Sequence, residues 1–165
     1  MAQVSYVLDA NVFVEAARRY YAFDLVPRFW ECLRKHAVDG RVLSIDRVKG
    51  ELEQGNDELA EWVTRSFAEA FASTDDANVV EAFREIMAWV HSQDQFTDPV
   101  KTQFAASADG WLVAYARVHE CTVVTHESFS ADVKSKVKIP NVCKAFEVPW
   151  VDTFAMLRGL GAKLG

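Results

Sequence analysis

The feature that most constrains this chain is a set of short apolar runs, each too brief to make a helix. They are VSYVLD at about residues 4–9, RVLS at 41–44, CTVVT at 121–125 and VPWV at 148–151. The stretches between them carry apolar residues at helical spacing. Buried strands that alternate with helices predict a mostly parallel sheet, of about four to five short strands, covered by helices on both faces. With 165 residues, 50% of them apolar, the chain is sized for one domain over 1–165 with a substantial core.

The helical segments follow from their punctuation. NVFVEAARRYY continues directly from the first strand. Pro27 opens a helix in which Phe29, Trp30, Leu33 and Ala37 recur on one side, and Gly40 ends it. In IDRVKGELEQG, Ile45, Val48 and Leu52 form one stripe, with Gly55 as a stop. Asp57 or Asn56 is placed to cap a helix burying Leu59, Trp62 and Val63. Val79, Val80, Phe83, Ile86, Met87 and Val90 share one face of the clearest helix. A loop is expected around Thr97–Pro99, after which Ser107 is expected to cap DGWLVAYARVHE. SKVKIP reads as a short strand or an extended loop, Asn141 as the cap of a short helix, and Asp152 as the cap of a last helix holding Phe154, Leu157 and Leu160.

Several function classes are disfavoured. No apolar run reaches the ~18–20 residues needed to cross a bilayer. The opening MAQVSYVLDANVF has no basic region ahead of its apolar stretch, so a secretory leader is not expected. Cys32, Cys121 and Cys143 are scattered, without metal-ligand spacing, which predicts reduced thiols in a cytoplasmic protein. There is no Gly-rich phosphate loop and no nucleophile-elbow serine. A net charge of −6 argues against a nonspecific coat on duplex nucleic acid. It is compatible with an enzyme whose acidic pocket gathers cations, because the ions then supply the charge that meets a phosphate.

Four carboxylates stand out. In a parallel sheet, sites form beyond the carboxyl ends of the strands. Asp9 closes the first strand, and Glu127 lies just past CTVVT. Asp109 is in the first turn of the helix leading into that strand, and Glu51 is on the helix after the second. Converging carboxylates repel unless a counter-charge joins them. Mg2+ or Mn2+ suits an all-oxygen set. Each residue also has an ordinary reading: Asp109 as a macrodipole partner, Glu51 as a solvated helix residue, Glu127 as a loop carboxylate. Asp9 is the least ordinary, since a carboxylate ending an apolar strand is costly unless it is bonded.

These residues carry a resemblance to the PIN-domain family, and within it to the VapC-like toxins of toxin–antitoxin pairs. The matching segments are VLDANVFVEA, SIDRVKGEL, SADGWLVAYA and TVVTHESF, in family order from Val4 to about Leu157. The resemblance implies a three-layer α/β/α fold and a Mg2+- or Mn2+-dependent endoribonuclease. By motif position it implies Asp9, Glu51, Asp109 and Glu127 as metal ligands, with Asn11 and Thr125 orienting carboxylates or water. It further implies an RNA substrate, an antitoxin partner and a homodimer. The chain departs from the usual pattern at position 127, where most members have Asp. Its longer helical middle, RRYYAFD and KVKIP set it beside a PIN-like subfamily rather than the typical toxins.

Basic and aromatic residues complete the expectations. Arg18, Arg19 and the alternating Lys134, Lys136 and Lys138 are candidates for phosphate contacts, with Lys138 the first choice. A solvated surface is the competing reading for all of them. His126 is a candidate for proton transfer or a strand-end residue facing away, and Tyr20, Tyr21 and Trp30 are stacking candidates or core residues. The helices carrying Trp30, Trp62 and Trp89 are candidate dimer surface. Two other functions remain. One is a PIN-like module that binds RNA or protein without cutting. The other is a phosphatase of the haloacid-dehalogenase type, whose expected second aspartate is here Asn11.

Overall fold

The computed structural model describes residues 3–55 and 57–165. A five-stranded, all-parallel sheet lies at its centre, in the order β3-β2-β1-β4-β5. The strands are β1 Tyr6–Leu8, β2 Val42–Ile45, β3 Phe71–Ala72, β4 Thr122–Val124 and β5 Trp150–Val151. Tyr6 pairs with Val42 on one side and Thr122 on the other, and Leu8 with Val124. Consecutive residues Val7 and Leu8, and again Val123 and Val124, are fully buried. Burial without alternation is what a parallel strand covered on both faces requires.

Nine helices among the described residues flank the sheet in a three-layer α/β/α architecture: α1 Ala10–Glu15, α2 Pro27–Val38, α3 Asp46–Glu53, α4 Glu58–Ser66, α5 Ala77–Ser92, α6 Asp98–Ala106, α7 Asp109–His119, α8 Ile139–Ala145 and α9 Thr153–Gly159. A π-helical turn, Ala16–Tyr20, extends α1, and a 3₁₀ turn, Ala68–Ala70, precedes β3. Pro27 sits in the first turn of α2, and Gly40 follows its end with φ +73°. Asp57 caps α4 by accepting the Ala60 N–H, and Asp152 caps α9 by accepting that of Ala155. The alternative cap, Asn56, lies outside the described residues.

Several local expectations change. β3 has no counterpart among the apolar runs of the sequence, because two residues carry no periodicity. The region around Thr97–Pro99 does not stay a loop: Thr97 is the N-cap position and Pro99 lies in the first turn of α6, where a missing N–H costs nothing. SKVKIP forms no strand, and α8 starts at Ile139 with Pro140 in its first turn. Asn141 is therefore inside α8 rather than its cap. Its amide pairs instead with the Ser130 backbone, accepting from N–H and donating to C=O. Ala108 occupies the cap position of α7, while Ser107 Oγ accepts the Asp109 N–H from one residue further out. Phe154 points outward and is exposed, whereas Leu157 and Leu160 are buried as expected.

The helix stripes meet in one core. Phe13 from α1 contacts Trp62, Phe67 and Phe71. Trp30 is buried, stacked on Phe23 at 4.1 Å, and donates its indole N–H to Tyr21 O. That indole N–H is thus satisfied within the chain. No helix among the described residues is long and apolar enough to cross a membrane.

Candidate functional site

The carboxyl ends of β1 and β4 lie side by side, and the chain places polar residues directly after each. Asp9 follows Leu8. Its N–H donates to Val124 O at 3.0 Å, continuing the ladder, and its carbonyl accepts the Val12 N–H at 3.1 Å as α1 begins. The carboxylate is thereby fixed at the sheet edge, with only 3% of the residue exposed. Thr125 follows Val124 and is equally buried. Its hydroxyl donates to Asp9 Oδ2 at 3.1 Å and accepts the Glu127 N–H at 3.2 Å. One side chain thus orients a carboxylate on the neighbouring strand and the loop that carries another.

Asp109 enters from α7. The helix is seated by a close approach at Gly110, where a β-carbon would stand 3.0 Å from the rings of both Phe83 and Phe104. Glu51 reaches the same helix end from α3, its Oε1 accepting the Ala108 N–H at 3.1 Å. What aims α3 there is Arg47, one turn earlier. Its guanidinium lies 3.9 Å over the Trp111 ring, which stacks in turn on Phe83. Asp109 itself is only 17% exposed at the side chain, and among the described residues its oxygens accept no hydrogen bond.

Glu127 is held differently. Oε1 accepts the Ile139 N–H at the start of α8 at 3.2 Å, and Oε2 accepts from Lys136 Nζ at 2.9 Å. The same ammonium stands 3.9 Å from Asp109 Oδ2. The lysine that reaches the acidic group is therefore Lys136, and not Lys138, whose Nζ donates to Ser128 O. The loop around Lys136 is pinned on both sides. Gln95 Nε2 donates to Ala131 O and Val133 O, and Val137 is buried.

Burial and crowding set the charges. Asp9 is pushed up from 3.8 to about 7, first by desolvation and then by Asp109 and Glu127; the Thr125 hydrogen bond and Lys136 oppose this. Asp109 is raised to about 6 by desolvation, with Glu127 and Glu51 adding to it and Lys136 acting against it. Desolvation disfavours the Lys136 charge, but its bond to Glu127 and the fields of Glu127, Asp109 and Asp9 more than offset that, so its pKa is raised.

The structure thus brings Asp9, Asp109, Glu127 and Thr125 together, with Glu51 at the rim and exposed. The remaining candidates stand apart. Asn11 is exposed on α1 and forms no side-chain hydrogen bond among the described residues. Arg18 and Arg19 are exposed, and Arg19 pairs with Glu15. His126 lies beside Thr153, with Nε2 and Oγ1 3.0 Å apart, and stacks under the exposed Tyr20. Tyr21 is half-buried, its ring 4.4 Å from that of Phe29. Arg47 is a residue sequence reasoning did not pick out, and Lys136, a candidate there only for phosphate contacts behind Lys138, instead faces the carboxylates themselves. Lys136 has no local signal separating it from its two alternating neighbours.

A divalent ion is a fair match to this donor set. The side chains offer oxygen only, Asp109 has both oxygens free of hydrogen bonds, and one lysine faces three buried or half-buried carboxylates. Among the described residues no three such groups stand preassembled around one point, and both Glu127 oxygens are engaged.

Comparisons with known proteins agree with the architecture. A chain in the crystal structure of FitAcB from Neisseria gonorrhoeae superposes with a TM-score of 0.54 at 21% identity, covering 88% of this chain and 95% of that one. A structure of FitAB bound to an IR36 DNA fragment gives a TM-score of 0.54 at 21% identity, over 89% of this chain and 94% of that one. VapBC2 from Rickettsia felis, bound to a DNA fragment from their promoter, gives a TM-score of 0.54 at 15% identity, over 90% and 98%. At such identities the likeness establishes the fold, a PIN-like α/β/α arrangement. No curated protein matches the sequence. Residues 6–164 match the model of a family described as a domain of unknown function, DUF4411, and the chain belongs to that family.

Proposed function

We propose that this protein is a metal-dependent endoribonuclease that hydrolyses RNA phosphodiester bonds, acting as the toxin of a toxin–antitoxin pair. The observation that carries the reading is the convergence of Asp9, Asp109 and Glu127 at one sheet edge, two of them pushed far above the usual carboxylate range. Such crowding is what a site for Mg2+ or Mn2+ looks like electrostatically. The fold shared with FitAB and VapBC2 supports the toxin side of the proposal, and with it an antitoxin partner. A homodimer and a cytoplasmic location belong to the same reading.

Asp9 and Asp109 would hold the ion, with Glu127 and Glu51 completing or flanking the set. When bound, the ion supplies charge for the phosphodiester and acidifies an attacking water. The chain does the rest. Thr125 keeps the Asp9 carboxylate in one orientation. The apolar strand ends behind Asp9 exclude bulk water, so its charge acts in a medium of low polarisability. Arg18, Arg19 and Lys138 lie outside the acidic group and serve, on this reading, as phosphate contacts along the RNA.

The test is cleavage of single-stranded and structured RNAs by purified protein with Mg2+ or Mn2+, with Asp9→Asn and Asp109→Asn as controls. Cleavage that needs the ion and vanishes in both variants supports the reading. Intact RNA, together with no rise in melting temperature on Mn2+ titration, overturns it. One observation favours a second reading, a PIN-like module that binds without cutting: both Glu127 oxygens are engaged by Lys136 and Ile139. RNA retention without cleavage at saturating Mn2+ would identify it. Phosphatase chemistry of the haloacid-dehalogenase type has no acid at position 11, where Asn11 stands exposed.

A further inference from the structure

We propose that Lys136 is a tethered counter-ion: its ammonium competes with a divalent cation for Glu127 and Asp109, and so sets the metal affinity of the acidic site. The inference rests on the metal-site reading above and adds the residue that governs it.

Three observations converge on this. Lys136 Nζ donates to Glu127 Oε2 at 2.9 Å and stands 3.9 Å from Asp109 Oδ2, so it bridges two carboxylates from different elements of the fold. It is also the one cation in salt-bridge range of Asp9, Asp109, Glu127 or Glu51 among the described residues. A divalent ion drawing on the same oxygens meets a like charge unless the ammonium leaves.

The second observation is that leaving is easy for the side chain and hard for the backbone. The Lys136 side chain is 47% exposed, so water lies within its reach. The loop is fixed by Gln95 bonding Ala131 and Val133, by Asn141 bonding both backbone groups of Ser130, and by the buried Val137. A lysine stem turning about its own bonds can vacate the oxygens without rearranging that loop.

The third is the remaining tie on Glu127. Oε1 stays with the Ile139 N–H when Oε2 loses its ammonium. The carboxylate therefore keeps its place with one oxygen freed. Exchange of one cation for another leaves the scaffold unchanged, which is the condition for simple competition.

The experiment titrates Mn2+ by calorimetry into chelator-stripped wild type, Lys136→Met and Lys136→Arg. The methionine variant should bind Mn2+ roughly tenfold or more tightly, about 1.4 kcal/mol, and the arginine variant should stay near wild type. Lys136→Gln repeats the comparison if the methionine variant does not fold. A wild-type measurement stands beside these: the Lys136 amine should label faster with an amine reagent in Mn2+ than in chelator, with Lys134 as internal reference. Wild type that binds Mn2+, with unchanged affinity in the uncharged variants and unchanged labelling, overturns the competition and leaves the nuclease reading standing. No Mn2+ binding by any form overturns both.

Discussion

Thr125 Oγ1 donates to Asp9 Oδ2 at 3.1 Å, joining residues 116 positions apart at the ends of neighbouring strands. Both are buried, and the hydroxyl also accepts the Glu127 N–H. Thr125→Val keeps the shape and removes donor and acceptor together. A buried carboxylate and a backbone N–H then lose a partner, at about 1–3 kcal/mol. Chemical denaturation should show that loss, and RNA cleavage should fall with it. Thr125→Ser should recover most of both, which separates the hydrogen bond from simple packing.

Asp9 makes the metal-free protein pH-sensitive. Its folded value is about 7 against 3.8, so between those limits the folded chain keeps a proton that the unfolded chain has released. Stability from this group is complete below pH 3.8 and declines as pH rises toward 7. At ~1.36 kcal/mol per unit, the full fall is on the order of 4 kcal/mol. Asp109, raised to about 6, acts in the same direction. Melting in chelator from pH 5 to 8 should show wild type losing stability relative to Asp9→Asn. A Mn2+ supplement should erase the difference slope if the ion takes over the compensation.

Gly110 sits next to Asp109 where a methyl group would be tightly crowded. The Phe83 and Phe104 rings stand 3.0 Å from where the β-carbon would lie, and Phe83 is itself stacked on Trp111 at 3.9 Å. Gly110→Ala gains helix propensity but must move both rings by a few tenths of an ångström. Overpacking of this kind costs about 1–3 kcal/mol, more than propensity returns. Unfolding midpoints should drop accordingly, and Asp109-dependent cleavage should weaken as the first turn of α7 shifts.

Glu127→Asp tests the aspartate that the PIN resemblance implies at this position. Shortening the side chain by one methylene withdraws it from Ile139 N–H and Lys136 Nζ, now at 3.2 and 2.9 Å. Loss of the bond to the first turn of α8 should cost about 1 kcal/mol. Mn2+ binding should change as well, since an oxygen no longer tied to α8 is free to turn. A variant with unaltered stability would show that the Ile139 contact contributes nothing.

The thiols offer a check on the core. Burial pushes Cys121 up to about 11 and Cys143 up to about 12, while Cys32 is only partly covered. A thiol reagent at neutral pH should modify Cys32 first. Cys121 and Cys143 should react only as the protein unfolds, and rapid labelling of all the cysteines would contradict the packing around β4 and α8.

Much of this architecture is visible in the sequence because burial on both faces leaves a signature. VSYVLD, CTVVT and VPWV announce three of the strands, and RVLS the fourth, through apolar runs alone. β3 is silent since Phe71–Ala72 is a two-residue pairing, too short for any pattern. α6 is hidden behind Pro99, which reads as a loop residue unless the helix start before it is recognised. At the site, Asp9 and Asp109 are placed by strand end and helix start. Lys136 is not, because its position depends on how a loop of irregular backbone is pinned by Gln95 and Asn141, contacts of 36 to 38 and 11 residues in separation. Glu51 falls between these cases: its helix is legible, but its aim depends on Arg47 finding Trp111.

The brevity of the strands has a consequence for how such a chain can vary. β1 is three residues long, and Asp9 follows it without a spacer; Thr125 follows β4 in the same way. Side chains alternate faces along a strand, so one inserted or deleted residue in either would turn the acid or the hydroxyl to the other side. Length changes are therefore barred at this edge while they remain open in the long helical middle. A new geometry at this edge is therefore reached by exchanging side chains, not by a change in count.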